Sequence, residues 1–190
     1  MYNERLRVFI AVDIEDPLVL SVLERIKDAL VSTRVPMKPV ETQNIHLTLR
    51  FIGEVPRAKV NEIIEEVLKP IQEEKFKIRL HGLGAFPSLA RPRVVWVGVS
   101  DGAERLVKIR NAVEDRLRKL GFPPDKPKFV PHITLARIKG SRNLPSLTKI
   151  LVDYSDYDIG EIVVDSIRLK KSTLTRSGPI YETLWEVKLH

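Results

Sequence analysis

The sequence contains the stretch His46-Leu47-Thr48-Leu49 and repeats it, with one conservative change, as His132-Ile133-Thr134-Leu135. Side chains of an extended strand alternate between its two faces. The histidine and the threonine of each stretch are therefore predicted on one face of a strand, and the two aliphatic side chains on the other face, in a core. Two strands that each present an imidazole and a hydroxyl indicate one polar site between two lobes.

The two stretches lie within a longer repeat that divides the chain approximately into residues 1–86 and 87–190. Each copy reads as a short apolar strand, an amphipathic helix, the histidine strand, a second helical stretch and a further strand. This order predicts an α+β fold with duplicated, mostly antiparallel sheets and covering helices. We expect one compact domain over residues 1–190, made of two lobes.

Local signals predict where the elements begin and end. Asp16 is predicted to cap a helix that begins at Pro17, and Asp101 with Glu104 forms a capping-box pattern for a helix that stops at Gly121. The predicted helices cover residues 17–32, 56–70, 102–120 and 147–152. The predicted strands cover residues 8–14, 45–52, 76–83, 94–99, 129–138, 162–170 and 181–189.

Composition limits the classes of function. The chain has 190 residues, a formal net charge of +7 and a pI near 9.7, which favours an anionic partner. Cysteine is absent, which excludes disulfides and thiol catalysis. The opening apolar run Val8–Val12 is too short for a signal peptide or a membrane span. We therefore expect a first strand there, no membrane association and a cytoplasmic location.

The paired histidines favour acid and base chemistry. Two imidazoles suit a reaction that needs a general base on one side and a general acid on the other, because histidine titrates near neutral pH. A threonine hydroxyl beside each imidazole can donate to a phosphate oxygen, so the pattern favours a phosphodiester substrate. A structural role is the alternative, because threonine is a good strand former and a single histidine in a strand is often structural.

Metal and cofactor chemistry is not indicated by the sequence. Two histidines can bind zinc, but a catalytic zinc site needs a third protein ligand, and no carboxylate or imidazole stands near either stretch at ligand spacing. The sequence also contains no Walker loop and no dinucleotide-binding glycine fingerprint. We therefore predict neither a metal nor a cofactor.

The residues around both stretches resemble the paired motifs of the two-histidine phosphoesterase superfamily. The similarity covers residues 46–55 and 131–137, together with the opening Arg7–Val12 and residues 84–98. One motif alone is a weak signal, whereas two motifs at matching positions of the repeat, together with the similar segments around them, are specific. Within the superfamily, the chain is most similar to the branch of RNA 2′,3′-cyclic phosphodiesterases, historically called 2′-5′ RNA ligases.

The resemblance implies a bilobal fold with pseudo-two-fold symmetry and a metal-independent active site in the groove between the lobes. The implied substrate is RNA or a nucleotide that ends in a 2′,3′-cyclic phosphate, which is opened to a 2′-phosphate. By the same resemblance, His46 protonates the departing 3′ oxygen and His132 activates water. Thr48 and Thr134 match the threonines of the family and are expected to bind the phosphate.

Two arginines are further candidates for phosphate binding. Arg137 matches a family position and is expected to stabilise charge in the transition state. Strict alternation from His132 places it on the opposite face, so this role requires a bend or a bulge near the strand end. Arg50 shares the face of His46 by alternation and is an equal candidate on physical grounds. A surface cation is the alternative for both.

The residues are also compatible with two other functions. The same acid and base pair can work in reverse and ligate RNA through a 2′-5′ linkage. A nucleotide-binding or RNA-binding module without chemistry is also possible, although arginine or lysine would serve phosphate binding alone better than histidine and threonine. We expect a monomer, and the sequence does not identify the physiological RNA.

Overall fold

The strands of residues 4–190 join one antiparallel sheet in the computed structural model, which describes those residues. The first three residues of the predicted domain lie outside the described part. The strands are β1 (Arg5–Asp13), β2 (Met37–Pro39), β3 (His46–Pro56), β4 (Phe76–Pro87), β5 (Pro92–Val99), β6 (His132–Ile138), β7 (Asp158–Val164), β8 (Ser166–Thr175) and β9 (Gly178–Lys188).

Helices connect and cover these strands. They are α1 (Pro17–Ser32), α2 (Arg57–Ile63), α3 (Ala103–Lys119) and α4 (Leu144–Asp153); a π-helical turn, Ile64–Leu68, prolongs α2, and a 3-10 turn, Thr42–Asn44, precedes β3. The start of α1 follows the sequence signal. The carboxylate of Asp16 accepts the N–H of Val19 at 3.0 Å, and Pro17 occupies the first turn.

The sheet has the strand order β7-β4-β5-β6-β3-β1-β8-β9, with β2 added beside β6. Its centre is the contact between β6 and β3, which pair at Leu47 and Ile133. We call β3-β1-β8-β9 the first lobe and β6-β5-β4-β7 the second lobe. Each lobe takes elements from both halves of the chain. Strand β4 pairs with β5 in the second lobe, and β8 pairs with β1 in the first lobe.

The helices are exchanged between the halves in the same way. Helix α1 packs against β6, β7 and α4 of the second lobe, whereas α3 packs against β3 and the π-helical turn of the first lobe. Neither half of the sequence therefore builds a lobe by itself. Among the helices of the described residues, none is long and apolar enough to cross a bilayer.

The predicted α+β class with antiparallel strands is confirmed, and the duplicated sheets are continuous with each other through the β3–β6 contact. Two local predictions are wrong. The predicted strand over 162–170 is two strands, because the chain turns at Asp165 and β7 and β8 join opposite lobes. The capping box is also absent. Gly102 precedes α3 with a φ of +84°, and a Cβ there would meet the carbonyl oxygen of Lys77.

The apolar side chains of the two histidine strands are anchored in the core. Leu47, Leu49, Ile133 and Leu135 are each at most 1% exposed. Burying an aliphatic side chain of this size stabilises the folded state by about 1.5–3 kcal/mol. This burial determines which face of β3 and β6 is turned away from the helices and is available for a site.

Candidate active site

A cavity of about 710 Å³ lies where β3 and β6 meet, and His46, Thr48, His132 and Thr134 all line it. The pairing of β3 with β6 explains this convergence. Because the strands are antiparallel and pair at positions 47 and 133, position 46 lies on the side of position 134, and position 48 on the side of position 132. Each histidine therefore stands beside the threonine of the other lobe.

His46 is held by hydrogen bonds at both ring nitrogens. Its Nδ1 lies 2.7 Å from the carbonyl oxygen of Asn44, to which it donates, and its Nε2 lies 2.9 Å from Oγ1 of Thr48. When the ring is neutral, Nε2 accepts from the Thr48 hydroxyl. The rings of Phe9 and Tyr181 enclose the imidazole, with centroids 5.1 Å and 5.3 Å away.

The surroundings of His46 shift its pKa in opposite directions. Burial lowers the pKa of His46 below its ordinary value of 6.5, while the carbonyl of Asn44 and the carboxylate of Asp13 oppose this shift, and the positive charges of Lys170 and His132 add to it. Asp13 is the cross-strand neighbour of His46 and accepts a hydrogen bond from Lys170 at 2.6 Å. The neutral imidazole is therefore favoured at neutral pH.

His132 is held at one nitrogen. Its Nδ1 donates to the carbonyl oxygen of Val130 at 2.6 Å, and Nε2 makes no hydrogen bond within residues 4–190. In the neutral ring Nε2 is therefore a free acceptor. The rings of Phe86 and Trp96 lie 5.2 Å and 6.4 Å away. The indole of Trp96 fills the space that a side chain at Gly84 would need, which explains the glycine.

Strand β3 contains a β-bulge directly after its threonine. Thr48 pairs with Ala11 and Arg50 pairs with Ile10, so Leu49 is an extra residue with no partner on β1. Because the bulge adds one residue, it reverses the alternation of side chains beyond it. Leu49 and Arg50 are both buried as a result.

Strand β6 contains the equivalent bulge. Trp96 pairs with Thr134 and Val95 pairs with Ala136, so Leu135 is the extra residue. The reversal brings Arg137 to the face of His132, where it lines the cavity. Strict alternation from His132 would place Arg137 on the opposite face, so its contact with the cavity depends on this bulge.

The prediction that Arg50 faces the site is wrong. Beyond the bulge its side chain lies on the core face and is 7% exposed. The guanidinium donates to the carboxylate of Glu114 at 2.9 Å and 3.1 Å, and to the carbonyl oxygen of Pro123 at 2.6 Å. This buried ion pair ties β3 to α3 and to the loop before β6. Phe51, one residue later, takes the position that faces the cavity.

Sequence reasoning missed Tyr181 and the wall that the β8–β9 hairpin builds beside His46. The side-chain amide of Asn44 donates to the carbonyl oxygen of Pro179 at 3.0 Å, which holds this hairpin against the segment before β3. Burial raises the pKa of Tyr181, against the nearby guanidinium groups of Arg137 and Arg7, so the phenol stays protonated. An aromatic residue in a distant strand carries no local signal of such a position.

The cavity is basic. Arg7, Lys38 and Arg137 line it together with one carboxylate, that of Glu41. Within residues 4–190 none of these three cations forms an ion pair, and no group of three histidine, aspartate or glutamate side chains is arranged to hold a metal ion. Unpaired cations beside two imidazoles and two hydroxyls form a site suited to an anionic ester.

An α+β fold with an antiparallel sheet, in which two His-x-Thr strands meet at one cavity, defines a protein of the two-histidine phosphoesterase class. The sequence profile of the 2′-5′ RNA ligase superfamily matches residues 15–171. The chain therefore belongs to this superfamily, and the resemblance inferred from the motifs is confirmed.

Named relatives agree with this assignment, and solved structures share the fold. The chain is 57% identical, over 87% of its length and 94% of the relative, to a protein of Aeropyrum pernix named RNA 2′,3′-cyclic phosphodiesterase. A protein of Archaeoglobus fulgidus with the same name is 42% identical over 94% of this chain and 98% of its own. A Thermus thermophilus crystal structure has a TM-score of 0.80 at 27% identity, covering 97% of this chain and 98% of that one. The structure of E. coli LigT complexed with 3′-AMP has a TM-score of 0.78 at 24% identity, covering 98% and 99%, and shares the fold.

Proposed function

We propose that this protein is an RNA 2′,3′-cyclic phosphodiesterase that opens the cyclic phosphate to a 2′-phosphate by metal-independent acid and base catalysis. The observation that carries the proposal is the meeting of His46, Thr48, His132 and Thr134 in one basic cavity. The activity named for relatives that are up to 57% identical over most of the chain supports the same reaction.

His132 is the general base of the proposed mechanism. Its Nδ1–H is engaged by the carbonyl of Val130, which leaves the lone pair of Nε2 free for a water molecule. Nε2 takes a proton from this water as the water oxygen attacks phosphorus. The backbone hydrogen bond fixes both the tautomer and the orientation of the ring, so little reorganisation is needed during the step.

His46 is the general acid. Its Nε2 gives a proton to the 3′ oxygen as the bond between this oxygen and phosphorus breaks, which leaves the phosphate on the 2′ oxygen. Burial favours the neutral form of His46, so the ring must be protonated when the anionic substrate is bound. The negative charge of the cyclic phosphate favours this protonation, and Asp13 acts in the same direction. Once formed, the buried imidazolium is a strong acid.

The remaining polar groups bind the phosphate. The hydroxyls of Thr48 and Thr134 approach from the two lobes, where they can donate to the two non-bridging oxygens. Arg137, brought to this face by the β6 bulge, supplies a positive charge for the pentacoordinate transition state. Arg50 has no part in this binding.

The proposal is tested with a nucleoside 2′,3′-cyclic phosphate as substrate. We expect hydrolysis that survives exhaustive chelation and a product whose phosphorus NMR signal is that of a 2′-phosphate. His46→Ala and His132→Ala should each lower kcat by about 100-fold or more, because each removes a proton-transfer group. A folded protein that binds the nucleotide without turnover would be a binding module, and loss of activity on chelation with recovery on adding zinc would refute the metal-independent mechanism.

A further inference from the structure

A second depression continues the active-site cavity across the first lobe. It has a volume of about 340 Å³ and lies over the β3, β1 and β8 strands. Arg7, Ser172 and Leu174 line both this depression and the main cavity, so the two adjoin along these residues and are together called the groove. The groove therefore extends beyond the space that surrounds the two histidines.

Arg7 stands at the junction of the two parts. Its guanidinium lies 4.6 Å from the centroid of the Phe51 ring, which holds it in place by a cation–π contact. Glu54 is its cross-strand neighbour, yet the two form no ion pair in the structure of residues 4–190. The charge of Arg7 is thus positioned by an aromatic ring and stays available to a ligand.

The other charged groups of the second depression are already engaged. Glu4 forms an ion pair with Arg57 at 2.6 Å, Arg5 donates to the carbonyl oxygen of Glu54 at 2.8 Å, and Lys171 lies 3.6 Å from Glu182. Together with the carboxylate of Glu54, these groups give the depression little net charge. Arg7 is therefore the group that makes the junction attractive to an anion.

The phosphate being cleaved has its own proposed partners, which are the two histidines, the two threonines and Arg137 at the meeting of the lobes. An oligonucleotide carries a second phosphodiester, one nucleotide towards the 5′ end. We propose that Arg7 binds this internucleotide phosphate and that the depression over β1 and β8 receives the 5′ part of the chain, so that an oligonucleotide of at least two residues is preferred over a mononucleotide. This inference rests on the proposed function of the same site.

Lys38 and Arg137 mark a competing direction. They are cross-strand neighbours on β2 and β6, and both line the main cavity. The second depression extends the groove from Arg7 and has neither Lys38 nor Arg137 in its lining. The experiment therefore compares Arg7 with Lys38 directly.

The test uses two dinucleotides that end in a 2′,3′-cyclic phosphate and differ only in the internucleotide linkage, which is a normal phosphodiester in one and an uncharged methylphosphonate in the other. We expect the wild-type protein to prefer the charged dinucleotide by about tenfold in kcat/KM, the effect of one charge-assisted hydrogen-bonding contact. Arg7→Gln should abolish most of this preference. Lys38→Gln should retain it, as should Arg118→Gln, which removes the same charge from an exposed position on α3.

Binding provides a readout that does not require turnover. The dissociation constants of the two dinucleotides, carrying a 2′-phosphate in place of the cyclic phosphate, should show the same preference and the same dependence on Arg7. The slope of log K against log salt should be about 0.7 steeper for the charged linkage than for the neutral one, and Arg7→Gln should remove this increment.

The outcomes distinguish a failure of the role given to Arg7 from a failure of the proposed catalytic function. Equal affinity and equal turnover for both linkages in the wild-type protein, or a preference that is lost in Lys38→Gln and kept in Arg7→Gln, would overturn the role of Arg7. Absence of hydrolysis for every cyclic phosphate would refute the proposed function, while the binding comparison would still decide whether Arg7 recognises the internucleotide phosphate.

Discussion

His46 and His132 occupy equivalent positions in two nearly identical motifs, yet their surroundings differ. His46 bonds to protein groups through both nitrogens and lies beside the Asp13–Lys170 pair, whereas Nε2 of His132 has no hydrogen-bond partner within residues 4–190. The difference comes from residues that other strands place around each ring. It is the physical basis for giving the two imidazoles different roles in the proposed mechanism.

Lys170 offers a test of which histidine is the acid. Lys170→Gln removes a positive charge that lowers the pKa of His46, so this pKa should rise. If His46 is the acid, it must be protonated in the substrate complex, and the alkaline limb of the plot of kcat against pH should move to higher pH. Lys188→Gln, an exposed charge on β9, should leave both limbs in place. Movement of the acid limb alone would instead identify His46 as the base.

The threonines are predicted to contribute less than the histidines. Thr48→Ala and Thr134→Ala each remove one neutral donor, so kcat/KM should fall by an amount equivalent to about 1–3 kcal/mol of transition-state stabilisation. Thr183→Ala, an exposed strand threonine on β9, serves as the control. Variants that lose thermal stability but keep full activity when folded would show that the two hydroxyls are structural.

At the scale of elements, the two bulges decide which side chains reach the site. The extra residues Leu49 and Leu135 each reverse the alternation of their strand. In β6 this turns Arg137 into the cavity, and in β3 it turns Arg50 into the core beside Glu114. The same kind of bulge thus places a guanidinium group in the cavity on the side of β6 and in the core on the side of β3.

The Arg50–Glu114 pair should matter for stability and not for phosphate binding. Glu114→Gln leaves a buried guanidinium without its counterion, so the free energy of unfolding at pH 7 should fall by about 3 kcal/mol. A folded Glu114→Gln protein should keep its affinity for the nucleotide. Urea unfolding measures the first effect and nucleotide titration the second.

The same pair predicts a dependence on pH. Burial alone would raise the pKa of Glu114, but the hydrogen bonds and charge of Arg50, the N–H of Asp125 and the charge of Arg110 together lower it below its ordinary value of 4.5. The stabilisation is therefore complete above pH 4.5 and is lost as the pH falls through the lower pKa of the folded state. The stability difference between wild type and Glu114→Gln should shrink in this acid range, and a constant difference would contradict the assignment.

At the scale of the whole molecule, the exchange of strands and helices makes each lobe depend on both halves of the chain. Strand β4 comes from the first half of the sequence and pairs with β5 in the second lobe. Strand β8 comes from the second half and pairs with β1 in the first lobe. Neither lobe can unfold without removing strands from a sheet that holds part of the other half. We therefore expect one cooperative unfolding transition.

The two tryptophans report on this cooperativity, because Trp96 lies on β5 in the second lobe and Trp185 on β9 in the first. Trp185→Phe leaves a fluorescent probe in the second lobe, and Trp96→Phe leaves one in the first. Within each variant, the fluorescence transition in urea should coincide with the loss of helical circular dichroism. Separate midpoints for the two signals would show that the lobes unfold independently.

The sequence by itself determined the class of fold and the centre of the site. Asp16 and Pro17 began α1 as predicted, because capping acts within one turn of chain. The short period of a strand was enough to put His46 with Thr48, and His132 with Thr134, above an apolar base. These features depend on residues that are neighbours in sequence.

Only the tertiary structure decided what surrounds the two histidines. Whether Arg50 or Arg137 reaches the cavity depends on bulges, and a bulge is a mismatch between two strands that neither strand encodes alone. Tyr181 and Arg7 come to the site because β9 and β1 lie in the same lobe, through pairings between distant parts of the chain. A shift of one residue moves a side chain to the opposite face of its strand. The local pattern therefore predicted the faces of the two histidines and two threonines, and it misplaced Arg50, the residue just beyond the bulge in β3.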